Sequence, residues 1–174
     1  ADEPKVINFG VIATDNAAFL KEQFTPLAEA MEKSTGYKVK LFFAPDYTGV
    51  IEAMRFGKVD IGWFGNKSGI SAVDRANAEV FLKISNKDNS DGYNSHLIVH
   101  KDSPLNSLDD MLKAKGKLTF GNGDPQSTSG NLIPAYYVFA ENGINPVDFF
   151  KVVRNANHET NALAIVNKQV DVAT

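Results

Sequence analysis

The residues with the clearest chemical capacity are Ser127, Thr128 and Ser129, set between Gly123-Asp124-Pro125-Gln126 and Gly130 and followed by a helix-like run over residues 131–141. Three consecutive hydroxyls at a helix entrance describe an anion site. The first turn of an α-helix leaves four backbone N–H groups without intrahelical partners and carries a positive partial charge, so a tetrahedral oxyanion can be held there without Lys or Arg. The hydroxyls add side-chain donors. A single N-cap accounts for one Ser or Thr at such a place and leaves the other two unexplained.

Composition narrows what else the chain can do. With 174 residues, 43% apolar and 22% charged, it can bury a core as one domain or as two small ones. Its 18 basic and 21 acidic residues give a net charge of −3, and no run of like charge marks a nucleic-acid or membrane-surface partner. An anion must therefore be caught by local donors. The absence of cysteine excludes disulfides, thiol catalysis and a lipidated N-terminal Cys, and leaves the redox compartment open. No apolar run reaches the about 18 residues of a membrane-spanning helix. The sequence opens Ala1-Asp2-Glu3-Pro4-Lys5 without an initiator Met. Signal peptidase leaves such a terminus, as does an expression vector, and the expectation is an exported protein.

The elements that must position the hydroxyls follow from periodicity. Residues 6–13, 37–43 and 59–64 read as strands from their β-branched and aromatic content. A helix between the first two is expected to start with Thr25 as N-cap and Pro26 at its first position, to bury Leu27, Ala30 and Met31, and to end at Gly36. Another spans 48–56, with Val50, Ile51 and Met54 on one face. This βαβαβ order implies a mostly parallel sheet. A second unit repeats it: strand 117–121, the helix after Gly130, strand 149–154, helix 159–167 and strand 170–174.

The two units share a register. One constant offset places Phe9-Gly10 on Phe120-Gly121, Asp46-Tyr47-Thr48 on Asn157-His158-Glu159, and Val59-Asp60-Ile61-Gly62 on Val170-Asp171-Val172-Ala173. Between them, 80–85 and 95–100 read as strands flanking a polar loop, 86–92. A turn at 101–104 leads to the capping box Ser107 to Asp110 and a short helix closed by Gly116. The expected organisation is a first lobe at 1–90, a crossover and hinge at 91–100, and a second lobe at 101–174. Ligands of open α/β sheets sit at the carboxyl ends of the strands. Loops 46–49, 123–129 and 157–160 lie there, each before a helix, and a cleft at the hinge is expected.

Five separated stretches then carry a resemblance: Ala44-Pro45-Asp46-Tyr47; Met54-Arg55-Phe56 with Lys58-Val59-Asp60-Ile61; Val73-Asp74-Arg75-Ala76-Asn77; Phe120 to Pro125 with Ser127 to Gly130; and His158-Glu159-Thr160-Asn161-Ala162-Leu163. Together they resemble the periplasmic phosphonate-binding proteins of bacterial ATP-driven (ABC) importers, over essentially the whole chain. The resemblance implies an α/β fold of two lobes, each a mostly parallel sheet flanked by helices. It also implies a periplasmic protein, its signal peptide removed, that captures alkylphosphonates such as 2-aminoethylphosphonate. That protein delivers them to a membrane permease and uses no cofactor, no metal and no chemistry of its own. The ligand contacts carried over by position are Tyr47, Tyr93, Ser127, Thr128, Ser129 and His158. Hydroxyls and an imidazole N–H would donate to phosphonate oxygens, and the two phenols would cover the anion and its carbon substituent. His96 and His100 are read as structural.

The chain departs from the family in three ways. Phe64 stands where Tyr is usual, and Asn157 where Gly is usual. Family members also continue beyond Thr174, through acidic residues that recognise the ligand's amino group, so the C-terminal part of the second lobe is expected to be missing. Other classes remain open. An enzyme reading would start from His158-Glu159, but no second His at helical zinc spacing, no Gly-x-Ser-x-Gly elbow and no phosphate-binding loop with Lys accompanies it. Adjacent phenols at Tyr136-Tyr137 could hold ferric iron, although packing within their helix is the expected role. Inorganic phosphate, phosphite or sulfate would suit the hydroxyl cluster as well as a phosphonate does.

Overall fold

The computed structural model describes residues 5–174; residues 1–4, on which the expectation of a processed terminus rests, lie outside them. Within that span the chain divides between Lys83 and Ile84 into two compact units.

In the first unit β1 (Val6–Val11) is central, paired in parallel with β2 (Lys38–Phe43) on one side and β3 (Ile61–Trp63) on the other. Alternation along β1 sends Phe9 and Val11 to the face covered by α1 (Ala17–Thr35), where Leu20, Phe24, Ala28 and Met31 meet them at helical spacing. The opposite face receives α2 (Tyr47–Arg55), whose Tyr47 and Val50 pack with Ile12 and Ala13. Gly10 lies under α2, and a Cβ there would stand 2.7 Å from Val50 Cγ1. A third helix, α3 (Asn66–Ala76), follows β3 and is a feature that the sequence reading did not include.

Two expectations are corrected here. The first helix starts at Ala17, capped by Asn16, whose side chain accepts the Phe19 N–H at 2.9 Å; it does not start at Pro26. Pro26 sits inside it and withholds the donor that the Glu22 carbonyl would use. Both residues are exposed, so water can serve that carbonyl. The buried stripe through Leu20 and Phe24 outweighs the local Thr-Pro start signal. The other correction concerns the strand expected at 80–85. No ladder forms between Ala76 and Ile98, and Val80, Phe81, Leu82 and Ile84 are 70, 66, 77 and 73% exposed. A strand exists only with a hydrogen-bonding neighbour, and none of the described residues supplies one. Within this segment a turn is knitted by Asp88, which takes the Ser90 hydroxyl at 2.6 Å and its N–H at 3.0 Å. Those bonds hold the Asp88 carboxyl below its usual range.

In the second unit β4 (Ile98–Val99), all that forms of the strand expected at 95–100, lies antiparallel to β7 (Val172–Ala173). Parallel pairing of β7 with β5 (Thr119–Gly123), and of β5 with β6 (Val152–Ala156), completes the sheet. A short helix, α4 (Leu108–Leu112), is capped by Ser107 as expected, but Asp110 reaches back to the Asn106 N–H at 2.8 Å. After β5 comes a helical run with π-type turns at Thr128–Leu132 and Ala135–Phe139 and a 3-10 turn at Ala140–Asn142. Beyond it lie α5 (Pro146–Phe149) and α6 (His158–Val166). One sheet face packs Phe120, Val172, Met111, Phe139, Phe149 and Phe150, with Phe120 stacked on Phe150 at 4.6 Å. The other packs Ala173 with Ile165 and Val170.

The offset seen in the sequence proves to be a repeat of structure. Sheet order is β2-β1-β3 in the first unit and, at the corresponding positions, β6-β5-β7 in the second. Asp60 accepts the Asn8 N–H at 2.8 Å, and Asp171 accepts the Thr119 N–H at 2.8 Å, both across 52 residues. Asp46 caps α2 through the Gly49 N–H, and Asn157 caps α6 through the Thr160 N–H, each at 2.8 Å. Each aspartate satisfies an amide of its unit's central strand just before that strand's pairing with the last strand begins. Replacing Asp171 by Ala removes this bond and one from the Thr119 hydroxyl at 2.9 Å. It is expected to lower unfolding free energy by about 1–2 kcal/mol in urea titration, whereas an unchanged midpoint would contradict this role.

Candidate anion site

The three hydroxyl residues lie where the carboxyl end of β5 turns into the helical run. Asp124 takes the Gln126 N–H on its side chain and the Ser127 N–H on its carbonyl, both at 2.8 Å, which closes the turn. Ser127 is the cap. The residue is 2% exposed, and its hydroxyl accepts the Gly130 N–H at 3.0 Å, which leaves its O–H as a donor. Thr128 and Ser129 come next as half-buried first residues of the run.

The helix start is of π type rather than the α-helix expected. The Leu132 N–H reaches back five residues to the Ser127 carbonyl, at 3.1 Å, and Ile133 likewise to Thr128. A π turn therefore delays the first backbone closure by one residue relative to an α-helix. Fully buried Pro134 breaks the ladder at its own position, because it has no N–H to offer. In an α register it would have served the Gly130 carbonyl, and in a π register that of Ser129. Side-chain hydroxyls serve both instead: Thr174 donates to Gly130 O at 2.6 Å, and Ser95 to Ser129 O at 2.5 Å.

Backbone meets backbone at this turn. A Cβ on Gly123 would lie 2.3 Å from the Gly130 carbonyl oxygen, and no side chain can be accommodated there. A Cβ on Gly130 would stand 2.9 Å from Ser127 Oγ and 3.1 Å from His158 Cε1. His158, half-buried as the first residue of α6, thus lies against the start of the other helical run. The second unit brings together Ser127, Thr128, Ser129 and His158, and two helix N-termini with them.

The remaining carried-over residues are placed differently. Tyr47 is 2% exposed, its ring in the first unit's core cluster, and occupies in α2 the position that His158 occupies in α6. Tyr93 is 65% exposed in the stretch without regular structure. His100 takes the Asp102 N–H on Nδ1 at 3.1 Å, a turn contact. Tyr136 and Tyr137, expected to pack, are 56 and 58% exposed and lie edge to face with each other at 4.9 Å.

Sequence reasoning did not single out Ser95, Asn161 or Thr174. Asn161 is 3% exposed on α6, and its Nδ2 donates to Asn122 O at 2.9 Å and Thr174 O at 3.2 Å. The signal available was the offset itself, which sets this polar residue on Val50.

These two sheets of mostly parallel strands, each with helices on both faces and with polar turns at the strands' carboxyl ends, define a binding-protein architecture of the α/β class. The family model described as ABC transporter, phosphonate, periplasmic substrate-binding protein matches residues 9–174, and the chain belongs to that family. It is 58% identical over 173 residues to the phosphonates-binding periplasmic protein of Escherichia coli K12, covering 99% of this chain and 51% of that one. Identity to the phosphate-import protein PhnD of Mycolicibacterium smegmatis is 32%, over 97% of this chain and 54% of the relative. Among solved structures, a binding protein component of an ABC phosphonate transporter from Pseudomonas aeruginosa superposes with a TM-score of 0.96 at 54% identity. The match covers 98% of this chain and 57% of that one. The chain thus spans about half the length of the curated relatives it matches.

The contact between Gly123 and Gly130 gives a test of the site's construction. Gly123→Ala is expected to cost about 2–3 kcal/mol, since backbone on both sides must move. Ser127→Ala should cost about 1 kcal/mol for the lost cap. Thermal unfolding of the two variants checks the order, and a Gly123→Ala protein as stable as its parent would overturn the close approach.

Proposed function

We propose that the chain is the capturing part of a substrate-binding component of an ATP-driven importer. It holds the phosphonate group of an alkylphosphonate such as 2-aminoethylphosphonate in the periplasm, and the loaded protein delivers it to a membrane permease. The observation that carries this reading is the gathering of Thr128, Ser129 and His158 around the Ser127–Gly130 turn, in a chain of the phosphonate-binding family. A phosphonate entering such a site exchanges hydration for N–H and O–H donors fixed in advance, which offsets its desolvation. The proposed contacts are Ser127, which also caps the turn, with Thr128, Ser129 and His158, and Tyr47 and Tyr93 as further partners. No bond is made or broken in this role, and the names of the relatives likewise describe binding and import.

Inorganic phosphate is the second reading. It is favoured by the phosphate-import name of the Mycolicibacterium smegmatis relative and by the indifference of a helix N-terminus to the fourth substituent of a tetrahedral anion. Calorimetric titration with 2-aminoethylphosphonate, methylphosphonate and phosphate separates the two, and tighter binding of phosphate than of either phosphonate would overturn the first. The double variant Thr128→Ala, Ser129→Ala is expected to weaken binding by about 1–3 kcal/mol per lost charged hydrogen bond. Affinity equal to the parent's would remove these hydroxyls from the site.

A further inference from the structure

The structural repeat shows where the second unit departs from the first at matching positions. At the slot over the central strand's glycine, the first unit places Val50 against Gly10 and the second places Asn161 against Gly121, with Oδ1 2.9 Å from where a Cβ would stand. Trp63 pairs with Val11 at the end of β3. In the second unit Gly121 pairs with Ala173 as Gly10 pairs with Gly62, so Thr174 takes the place of Trp63. The helix caps correspond too: Asn16 accepts from Phe19, and Ser127 from Gly130. One frame thus carries Phe19, Val50 and Trp63 in one unit and Gly130, Asn161 and Thr174 in the other.

The apolar set closes its unit without a buried side-chain amide or hydroxyl at these places. The polar set forms a connected chain. Asn161 Nδ2 bonds Asn122 O and Thr174 O, and Thr174 Oγ1 bonds Gly130 O at 2.6 Å, in the middle of the hydroxyl turn. Buried polar groups are costly unless satisfied, and these two are satisfied by carbonyls at the strand ends and at the turn. Their common endpoint is the peptide group joining Gly130 to Asn131, whose carbonyl lost its α-helical donor to Pro134.

We propose that Asn161 and Thr174 are positioning residues of the anion site: they fix the Gly130–Asn131 peptide plane, so that the donors of the 128–131 turn are held ready for an oxyanion. The proposal rests on the anion-binding reading of that turn. Neither residue touches the ligand; Thr174 acts through the Gly130 carbonyl, and Asn161 acts through Thr174 and the end of β5.

The test uses the whole chain with methylphosphonate as probe and the variants Thr174→Val, Thr174→Ser and Asn161→Val, the last copying the residue at the matching slot. Thr174→Val and Asn161→Val are expected to bind at least about tenfold more weakly, and Thr174→Ser within about threefold of the parent. A purely structural role would move the melting temperature of Thr174→Val and Thr174→Ser alike and give no rescue of binding by serine. Binding by Thr174→Val within about twofold of the parent would overturn the proposal. Should the parent bind neither methylphosphonate nor phosphate, the anion-site reading fails on its own. The positioning role is then decided in the ligand-free protein by the Gly130 carbonyl-carbon and Asn131 amide resonances, which must shift in Thr174→Val and return in Thr174→Ser. Resonances identical to the parent's in Thr174→Val would overturn it.

Discussion

The second unit is organised by one backbone contact, that between Gly123 at the end of β5 and Gly130 in the first turn of the adjoining helical run. No side chain separates the two main chains. That closeness requires the short turn held by Asp124 and Ser127. It also leaves room for the His158 ring beside Gly130, and it brings the Gly130 carbonyl within reach of Thr174. Moving the strand and the helical run apart by the width of one methyl group would separate the hydroxyl turn from the histidine and break the Thr174 bond. The site is thus a property of how closely two pieces of main chain can lie, and its side chains follow from that.

Pro134 is the complementary constraint. A helix that begins with Ser-Thr-Ser-Gly and continues normally would consume the carbonyls of its first turn in its own ladder. Proline interrupts that ladder, the run takes π-type turns around it, and hydroxyls from Ser95 and Thr174 enter where amides would have been. The first turn is consequently tied to the chain at 95 and at 174 as well as to its own helix. A first turn held only by its own ladder would fray with the helix end.

Much of this was legible in the residues. The strands and α2 announced themselves through β-branched runs and an apolar face, and the offset through Asp60 and Asp171 marked a true duplication, down to equivalent hydrogen bonds. That one of the three hydroxyls could serve as a helix cap was readable; that it is Ser127 was not. Less visible was whatever depends on competition between distant parts. Thr25-Pro26 is a good helix start that lost to a hydrophobic stripe beginning at Leu20. Gly65 to Gly69 has the composition of a loop and yet opens α3. The π turns follow from a proline whose effect depends on which carbonyls find other donors. Residues 80–85 have strand composition with no neighbour to pair with among the described residues. His158 entered the site through family resemblance, since only the fold sets it beside Gly130.

The pairing order of the strands has a kinetic consequence. In each unit the first strand of the βαβαβ repeat lies at the centre, and the last, β3 or β7, is needed to complete it. The Asn8 and Thr119 amides wait 52 residues for their aspartates. Such sheets cannot assemble hairpin by hairpin, and long-range parallel pairing is intrinsically slow because loop closure precedes its reward. During synthesis the second unit must remain open until Val172 and Ala173 arrive, since they join β5 to β4. A chain that has emerged only as far as residue 171 would therefore lack both the last strand and the Thr174 bond to Gly130, and its hydroxyl turn would remain untied until the final residues arrive.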